Sequence, residues 1–327
     1  MSANPLVSII IPTYNREDKL SEAINSAISQ TYKNIQIIVI DDGSVDSTRE
    51  LVSAYPEIEY YWQKNQGQAA ARNSGLKKAK GSIIASLDSD DIWFPDFLKL
   101  CVEKLENEQL DFVFANWEQE AKVGNSWSFL DNDPYLKPYF RKINGHWINL
   151  DNEELRDLYV KACPSPSSSV VMRKSSIVSG WDEGIRIGDD WCLYLEMILS
   201  NSTCRAAFTL ERLWKKRIDE INIYDGRKWS EVLEFLYIAD LKIKMEKFQH
   251  LLRKNELSQM QKRYMASLIE LSKHKLIRDL NIPNSIGLLK QSFSISVPYT
   301  LRTIPHIFMT GIDRKVRLLT DKLKKKQ

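Results

Sequence analysis

Three aspartates fall within four residues at Asp88, Asp90 and Asp91, in the run Ile84-Ala85-Ser86-Leu87-Asp88-Ser89-Asp90-Asp91. An apolar stretch leads into them, and Ile92-Trp93-Phe94-Pro95 follows directly. Carboxylates this close repel one another in a low-dielectric setting unless a cation or strong donors hold them. Ligation by oxygen alone suits Mg²⁺ or Mn²⁺, ions that commonly leave coordination positions open for substrate phosphates. The plainer reading is an acidic turn that caps a helix beginning at Pro95, with Asp91 as the capping residue.

Two further polar clusters carry chemistry of their own. In Pro12-Thr13-Tyr14-Asn15-Arg16 the aromatic ring can stack a planar base, and the Asp41 carboxylate of Asp41-Asp42-Gly43-Ser44 can accept a ring N–H. The run Asn65-Gln66-Gly67-Gln68-Ala69-Ala70-Ala71-Arg72-Asn73-Ser74-Gly75 puts glycine and small side chains where a helix begins. Such a terminus favours phosphate, and Arg72 adds a charge-assisted donor. It is neither a dinucleotide fingerprint nor a P-loop.

The elements that must position these groups alternate. Strands are expected over residues 6–12, 35–40, 58–62, 82–87 and 112–115, each a short run rich in β-branched or aromatic residues. Helices are expected over 17–30, from Asp46 or Ser47 to about 54, over 69–79 and over 95–106. The pattern predicts an α/β, doubly wound, mainly parallel sheet, whose ligands bind beyond the carboxyl ends of the strands. All three polar clusters fall at such ends. Residues 117–150 are aromatic-rich and read either as a packed insertion or as platforms for a sugar. From about Phe208 onward the chain reads as helical and strongly charged, which gives domains at 1–215 and 216–327.

In a chain of 327 residues, 43% hydrophobic and 27% charged, composition is that of an ordinary globular protein. The N-terminus lacks a basic signal region, no apolar run is long enough to span a bilayer, and four scattered cysteines suit a reducing compartment. A cytoplasmic location follows as an expectation. The four scattered histidines speak against a zinc site, and nothing resembles a nucleic-acid module. Residues 302–327 combine eight basic residues with apolar ones at spacings of three and four, the pattern of an amphipathic helix on an anionic membrane face. A helix docked on its own domain has the same pattern.

Val7–Asn15, Gln30-Thr31-Tyr32, Ile38–Thr48, the Asn65–Gly75 run and Leu87–Asp91, in that order, resemble family 2 glycosyltransferases. The resemblance covers residues 6–115 and implies a GT-A fold and inverting transfer from a nucleotide-diphosphate sugar, usually a UDP-sugar, to a glycan or lipid-linked acceptor. It places Pro12, Thr13, Tyr14, Arg16, Asp41, Asn65, Gly67, Arg72 and Asp88 on the donor. Asp90 is the implied direct metal ligand, with Asp88 beside it facing ribose or sugar. Inversion needs a base opposite the leaving diphosphate. The family's acidic pair at a helix start is matched by Gly188-Asp189-Asp190-Trp191, with Asp190 as base and Asp189 and Trp191 towards the acceptor. Ser167 and Ser168, in Pro164–Val171, line the same side. The chain departs from relatives at Lys216-Arg217-Ile218-Asp219, where aspartate stands in place of an expected histidine, so Asp219 is the candidate third ligand. A nucleotidyltransferase would want a glycine-rich basic loop after the first strand, where this chain has Thr13-Tyr14-Asn15. A non-catalytic carbohydrate-binding relative would lack the acidic residues that Asp41, Asp90 and Asp190 supply.

Overall fold

A computed structural model describes residues 4–120, 126–217 and 227–309. The chain divides into two compact units, Met1–Asp225 and Gly226–Gln327. In the first, strands β1 (Val7–Thr13), β2 (Ile35–Asp41), β3 (Glu59–Trp62) and β4 (Ile83–Ser86) alternate with helices α1 (Leu20–Ile28), α2 (Thr48–Ser53) and α3 (Gln68–Lys78). The short β5 (Ile92–Trp93), then α4 (Phe97–Asn107), β6 (Phe112–Glu120), β7 (Ser126–Ser128), β8 (Trp147–Leu150) and α5 (Asn152–Lys161) follow. Strand β9 (Val170–Arg173), helix α6 (Asp189–Ser200) and strand β10 (Ala206–Arg217) complete the unit.

One sheet holds all ten strands, in the order β3-β2-β1-β4-β9-β6-β10-β5, with β7 on β6 and β8 on β10. The long pairings are parallel: β1 with β2 and β4, β2 with β3, and β6 with β10. Strand β9 enters antiparallel between β4 and β6. Strands β1 and β4 are buried along their whole length, as their unbroken apolar runs require. Helix α1 buries Leu20, Ala23, Ile24 and Ala27, one stripe of a 3.6-residue repeat. The order reverses at β1, where the chain passes from β3 back to β4, and this crevice lies at the carboxyl ends that carry Thr13, Asp41 and Asp88.

Two expectations need correction. Residues 206–217 are strand rather than helix: Ala206–Thr209 are buried beside β6, and register shifts at Arg212 break the alternation that marks a strand in sequence. The aspartate cluster does not cap the next helix, because α4 starts at Phe97 with Asp96 at its N-cap, while Asp91 hydrogen-bonds Ser168. The aromatic insertion is packed in part: Trp117 stacks on Phe129 at 4.4 Å and lies 5.0 Å from Trp214, while Trp127 stays exposed.

The second unit is helical: α7 (Trp229–Glu234), a wider turn over Phe235–Asp240, then α8 (Leu241–Phe248), α9 (Lys254–Ile277) and α10 (Ile282–Ile295). A further helical stretch covers 297–309.

Candidate active site

The loop after β1 and the loop after β2 are laced together. Asn15, in the left-handed region at φ 50°, donates its N–H to Ser44 Oγ at 2.9 Å, and its Oδ1 accepts from Val45 N–H at 2.9 Å. Glu17 N–H donates to Asp46 Oδ2 at 3.2 Å, and Ser47 N–H to Glu17 Oε2 at 2.7 Å. Pro12 and Thr13 are buried, and the Tyr14 ring is 49% exposed above them. Asp41 is buried, with Oδ1 on Ser44 N–H at 2.7 Å and Oδ2 on the Tyr60 hydroxyl at 2.6 Å. Burial and that carboxylate push the Tyr60 phenol up, so it stays a donor.

Asp42 builds the next loop. Its carboxylate accepts from Gln63 Nε2 at 2.7 Å, Gln66 N–H at 3.0 Å and Gly67 N–H at 2.7 Å. Gly67 (φ 94°) starts α3, and at Gly43 (φ 89°) a Cβ would stand 2.9 Å from the Asn65 nitrogen, so both turns need glycine. Asn65 lies exposed in this loop.

The centre of the site is Arg72, almost wholly buried on α3. Its Nη1 donates to Asp189 Oδ2 at 2.6 Å and its Nη2 to Asp88 Oδ1 at 2.7 Å. One guanidinium therefore joins the aspartate cluster to the acidic pair opening α6. Gln68, one turn earlier, donates to Asp189 Oδ1 at 2.6 Å, so both oxygens of Asp189 are taken. Asp190 Oδ1 accepts from Trp191 N–H at 2.6 Å. Burial first, and Asp189 second, push Asp190 up to about 7, with Arg72 pulling the other way. Trp191 is 3% exposed and donates its indole N–H to Tyr159 O at 2.6 Å, so it anchors α6 from inside and presents no open ring.

The aspartate cluster is held from two sides. Asp88 N–H donates to Ser168 Oγ at 3.0 Å, and Trp93 Nε1–H donates to Ser168 O at 2.7 Å. Arg16 Nη2 stands 3.5 Å from Asp90 Oδ2. Burial and then Asp88 raise Asp90, and Asp91 is raised still further, chiefly by burial; Lys216 opposes both shifts. The other basic candidate, Arg217, pairs with Glu22 instead. Asp219 lies outside the described residues.

The donor set fits a hard divalent cation. Among the described residues no three His, Cys, Asp or Glu side chains form a metal-holding group. Two carboxylates suffice for an ion of the Mg²⁺ type, which takes its other ligands from water and phosphate. Burial first, and the Asp88 carboxylate second, raise the proton affinity of Asp90 against the pull of Arg16 and Lys216. Thr13 Oγ1, Ser86 Oγ, Ser167 Oγ and Arg72 Nε are also buried without a hydrogen-bond partner among the described residues. These groups lie around one set of strand ends, where a polar ligand would satisfy them.

The structure thus groups the expected residues at the loops after β1 and β2 (Pro12, Thr13, Tyr14, Arg16, Asp41), at the end of β4 (Asp88, Asp90) and at the start of α6 (Asp189, Asp190), with Ser168 on Asp88. The contacts of Gln68 with Asp189, Tyr60 with Asp41 and Asp91 with Ser168 join segments far apart in the chain, so only the fold supplies them.

The sheet has the fold of solved GT-A glycosyltransferases. The mannosyltransferase PcManGT from Pyrobaculum calidifontis, in complex with GDP-Man and Mn²⁺, superposes with a TM-score of 0.57 at 16% identity, over 95% of this chain and 81% of that one. Residues 8–166 match the family described as Glycosyl transferase family 2. An uncharacterized glycosyltransferase of Rickettsia felis is 32% identical over 200 residues, 60% of this chain and 31% of that protein. That match spans about a third of the relative's length. WfaP of Escherichia coli, a UDP-Glc:alpha-D-GlcNAc-diphosphoundecaprenol beta-1,3-glucosyltransferase, is 43% identical over 115 residues, 34% of this chain and 46% of WfaP.

Proposed function

We propose that the protein is an inverting glycosyltransferase that moves a sugar from a UDP-sugar to a glycan or lipid-linked acceptor in surface-polysaccharide assembly. The observation that carries this reading is the Asp88–Arg72–Asp189 bridge, which sets Asp190 beside the donor cluster with a proton affinity near neutrality. A general base works best when its pKa lies near the operating pH. The named donor of WfaP and its similarity to this chain support the UDP-sugar assignment.

Tyr14 stacks the base, Asp41 accepts its ring N–H, and the loops around Ser44 and Gly67 cradle ribose and diphosphate. Asp90 and Asp88 hold the divalent ion, Mn²⁺ or Mg²⁺, which when bound neutralises charge on the leaving diphosphate. Arg16 and Lys216 add fixed positive charge on that side. As the acceptor oxygen bonds to the anomeric carbon and the bond to the diphosphate oxygen breaks, the hydroxyl proton passes to Asp190. Asp189 keeps Asp190 in place and poised, and Ser167 and Ser168 close the acceptor side. The basic segment 302–327 would hold the enzyme against an anionic membrane at the cytoplasmic face; residues 310–327 of it lie outside the described residues.

Donor hydrolysis over a panel of nucleotide sugars, with Mn²⁺ and with EDTA, tests the reading. UDP-sugar turnover lost in EDTA and in Asp90→Ala is expected. Turnover indifferent to both would refute the metal assignment, and no hydrolysis of any donor would refute catalysis.

A further inference from the structure

The last two helices of the second unit are packed with their hydroxyls inward and much of their apolar surface outward. On α10 the buried positions are Ser285 and Ser292, and their partners are hydroxyls: Ser272 of α9 at 2.9 Å and Thr300 at 2.8 Å. The stretch 297–309 docks likewise through polar groups, with the Tyr299 hydroxyl on Lys262 O at 3.1 Å and Lys273 Nζ on Ile307 O at 2.7 Å.

The apolar side chains form two matching stripes. Ile282, Ile286, Leu289 and Phe293 recur at i, i+4, i+7 and i+11, and Val297, Leu301, Ile304 and Phe308 repeat that spacing on the next helix. The leading residues of each stripe stand open: Ile282 is 56% exposed, Ile286 47%, Val297 52% and Leu301 58%. Leu280 and Met309 are open too, at 80% and 65% exposed. In water, four large aliphatic chains set out in paired rows mark a surface meant for something apolar.

Charge selects the occupant. From Leu280 to Ile312 there is no carboxylate, and the charged side chains are Lys290 and Arg302. The chain then continues into Arg314, Lys315, Arg317, Lys322, Lys324, Lys325 and Lys326, against Asp313 and Asp321. A second copy of this face would bring like charges together, whereas anionic headgroups complement them. No described helix is long and apolar enough to cross a membrane, which leaves the interface itself.

We propose that α10 and the 297–309 helix form an interfacial docking surface for anionic lipid, inserting the Ile282/Ile286 and Val297/Leu301 rows among acyl chains with their basic residues at headgroup level. The surface does not depend on the enzyme's donor or acceptor, and it extends the membrane contact beyond the basic terminus.

Flotation of the full chain with phosphatidylglycerol-containing vesicles, against pure phosphatidylcholine vesicles, tests it. The combined variant Ile282→Ser, Ile286→Ser, Val297→Ser, Leu301→Ser should bind the anionic vesicles at least about tenfold more weakly, since each buried aliphatic chain contributes to partitioning. Its circular dichroism and donor hydrolysis should match the parent, which separates failure here from failure of the catalytic reading. A chain ending at Met309 should retain part of the binding. Unchanged vesicle binding by the four-serine variant would overturn the proposal. So would sedimentation showing a dimer of the parent that the same variant abolishes, since a second copy would then own the face.

Discussion

At the residue scale, the near-neutral proton affinity of Asp190 has two opposite consequences. Catalysis needs the carboxylate free, so kcat should rise with pH along a limb near 7, and Asp190→Asn should lose about 10²–10⁴-fold in kcat while still binding UDP. Stability runs the other way. Between the ordinary value of 3.8 and about 7 the folded protein holds a proton that the unfolded chain has released. That contribution is complete below the unfolded value and is lost as pH rises through 7. Asp190→Asn removes a buried charge, so it should melt above the parent at pH 8 and much less so at pH 5, read by calorimetry. Asp189→Asn makes a separate prediction. Asp189 is the like charge that raises its neighbour, and Arg72 is the cation that lowers it. Removing the first should move the kcat limb to lower pH; an unmoved limb would mean that the two aspartates are not coupled. The sequence made the acidic pair legible as a helix start, with Asp190 as candidate base. It did not show Arg72 spanning Asp88 and Asp189, because 16 and 117 residues separate the partners and no local pattern encodes such a contact.

At the element scale, α3 transmits position between the two halves of the site. It carries both Gln68 and Arg72, and it lies on β1 through Gly75, where a Cβ would come within 2.4 Å of Ile10 Cγ2. Gly75→Ala should cost about 1–3 kcal/mol by overpacking. It should also reduce kcat more than UDP affinity, because lifting α3 moves Arg72 away from Asp189 while the Tyr14 and Asp41 loops stay. Thermal melts and turnover at saturating donor check both. The elements that the sequence announced well are those with one clean periodicity: β1, β2 and β4 as unbroken apolar runs, α1 as a 3.6-residue stripe. Strand β10 escaped because register shifts interrupt its alternation among charged residues. Helix α5, absent from the sequence expectations, opens on Asp151 and Glu154, which form a reciprocal capping box. The short strands β5, β7 and β8 owe their conformation to partners far along the chain, so nothing local marks them.

At the scale of the whole molecule, the proposed chemistry and the proposed attachment fall on different units. The first unit holds every donor and acceptor candidate. The second presents apolar rows and a carboxylate-free surface from 280 to 312. If headgroup charge recruits that surface, vesicle binding should weaken as salt rises and the Debye length contracts from about 10 Å at 0.1 M towards 3 Å at 1 M. The buried Arg72 contacts should not respond, so Tm should stay nearly level over the same range. A binding curve flat in salt would leave the apolar rows acting alone.

Strand β9 also fixes an order of events. It lies between β4 and β6 in space, yet at Val170–Arg173 it is synthesised after both. The segment that carries the family's signature, residues 8–166, stops just short of it. While the nascent chain ends there, β4 and β6 have bare edges facing a gap one strand wide, and such edges invite pairing with other chains. The same insertion brings Ser168 under Asp88, so the last strand to enter the middle of the sheet is also the one that finishes the aspartate site. A chain ending at residue 166 would therefore carry the aspartate cluster yet lack both the strand that lies between β4 and β6 and the Ser168 contact to Asp88.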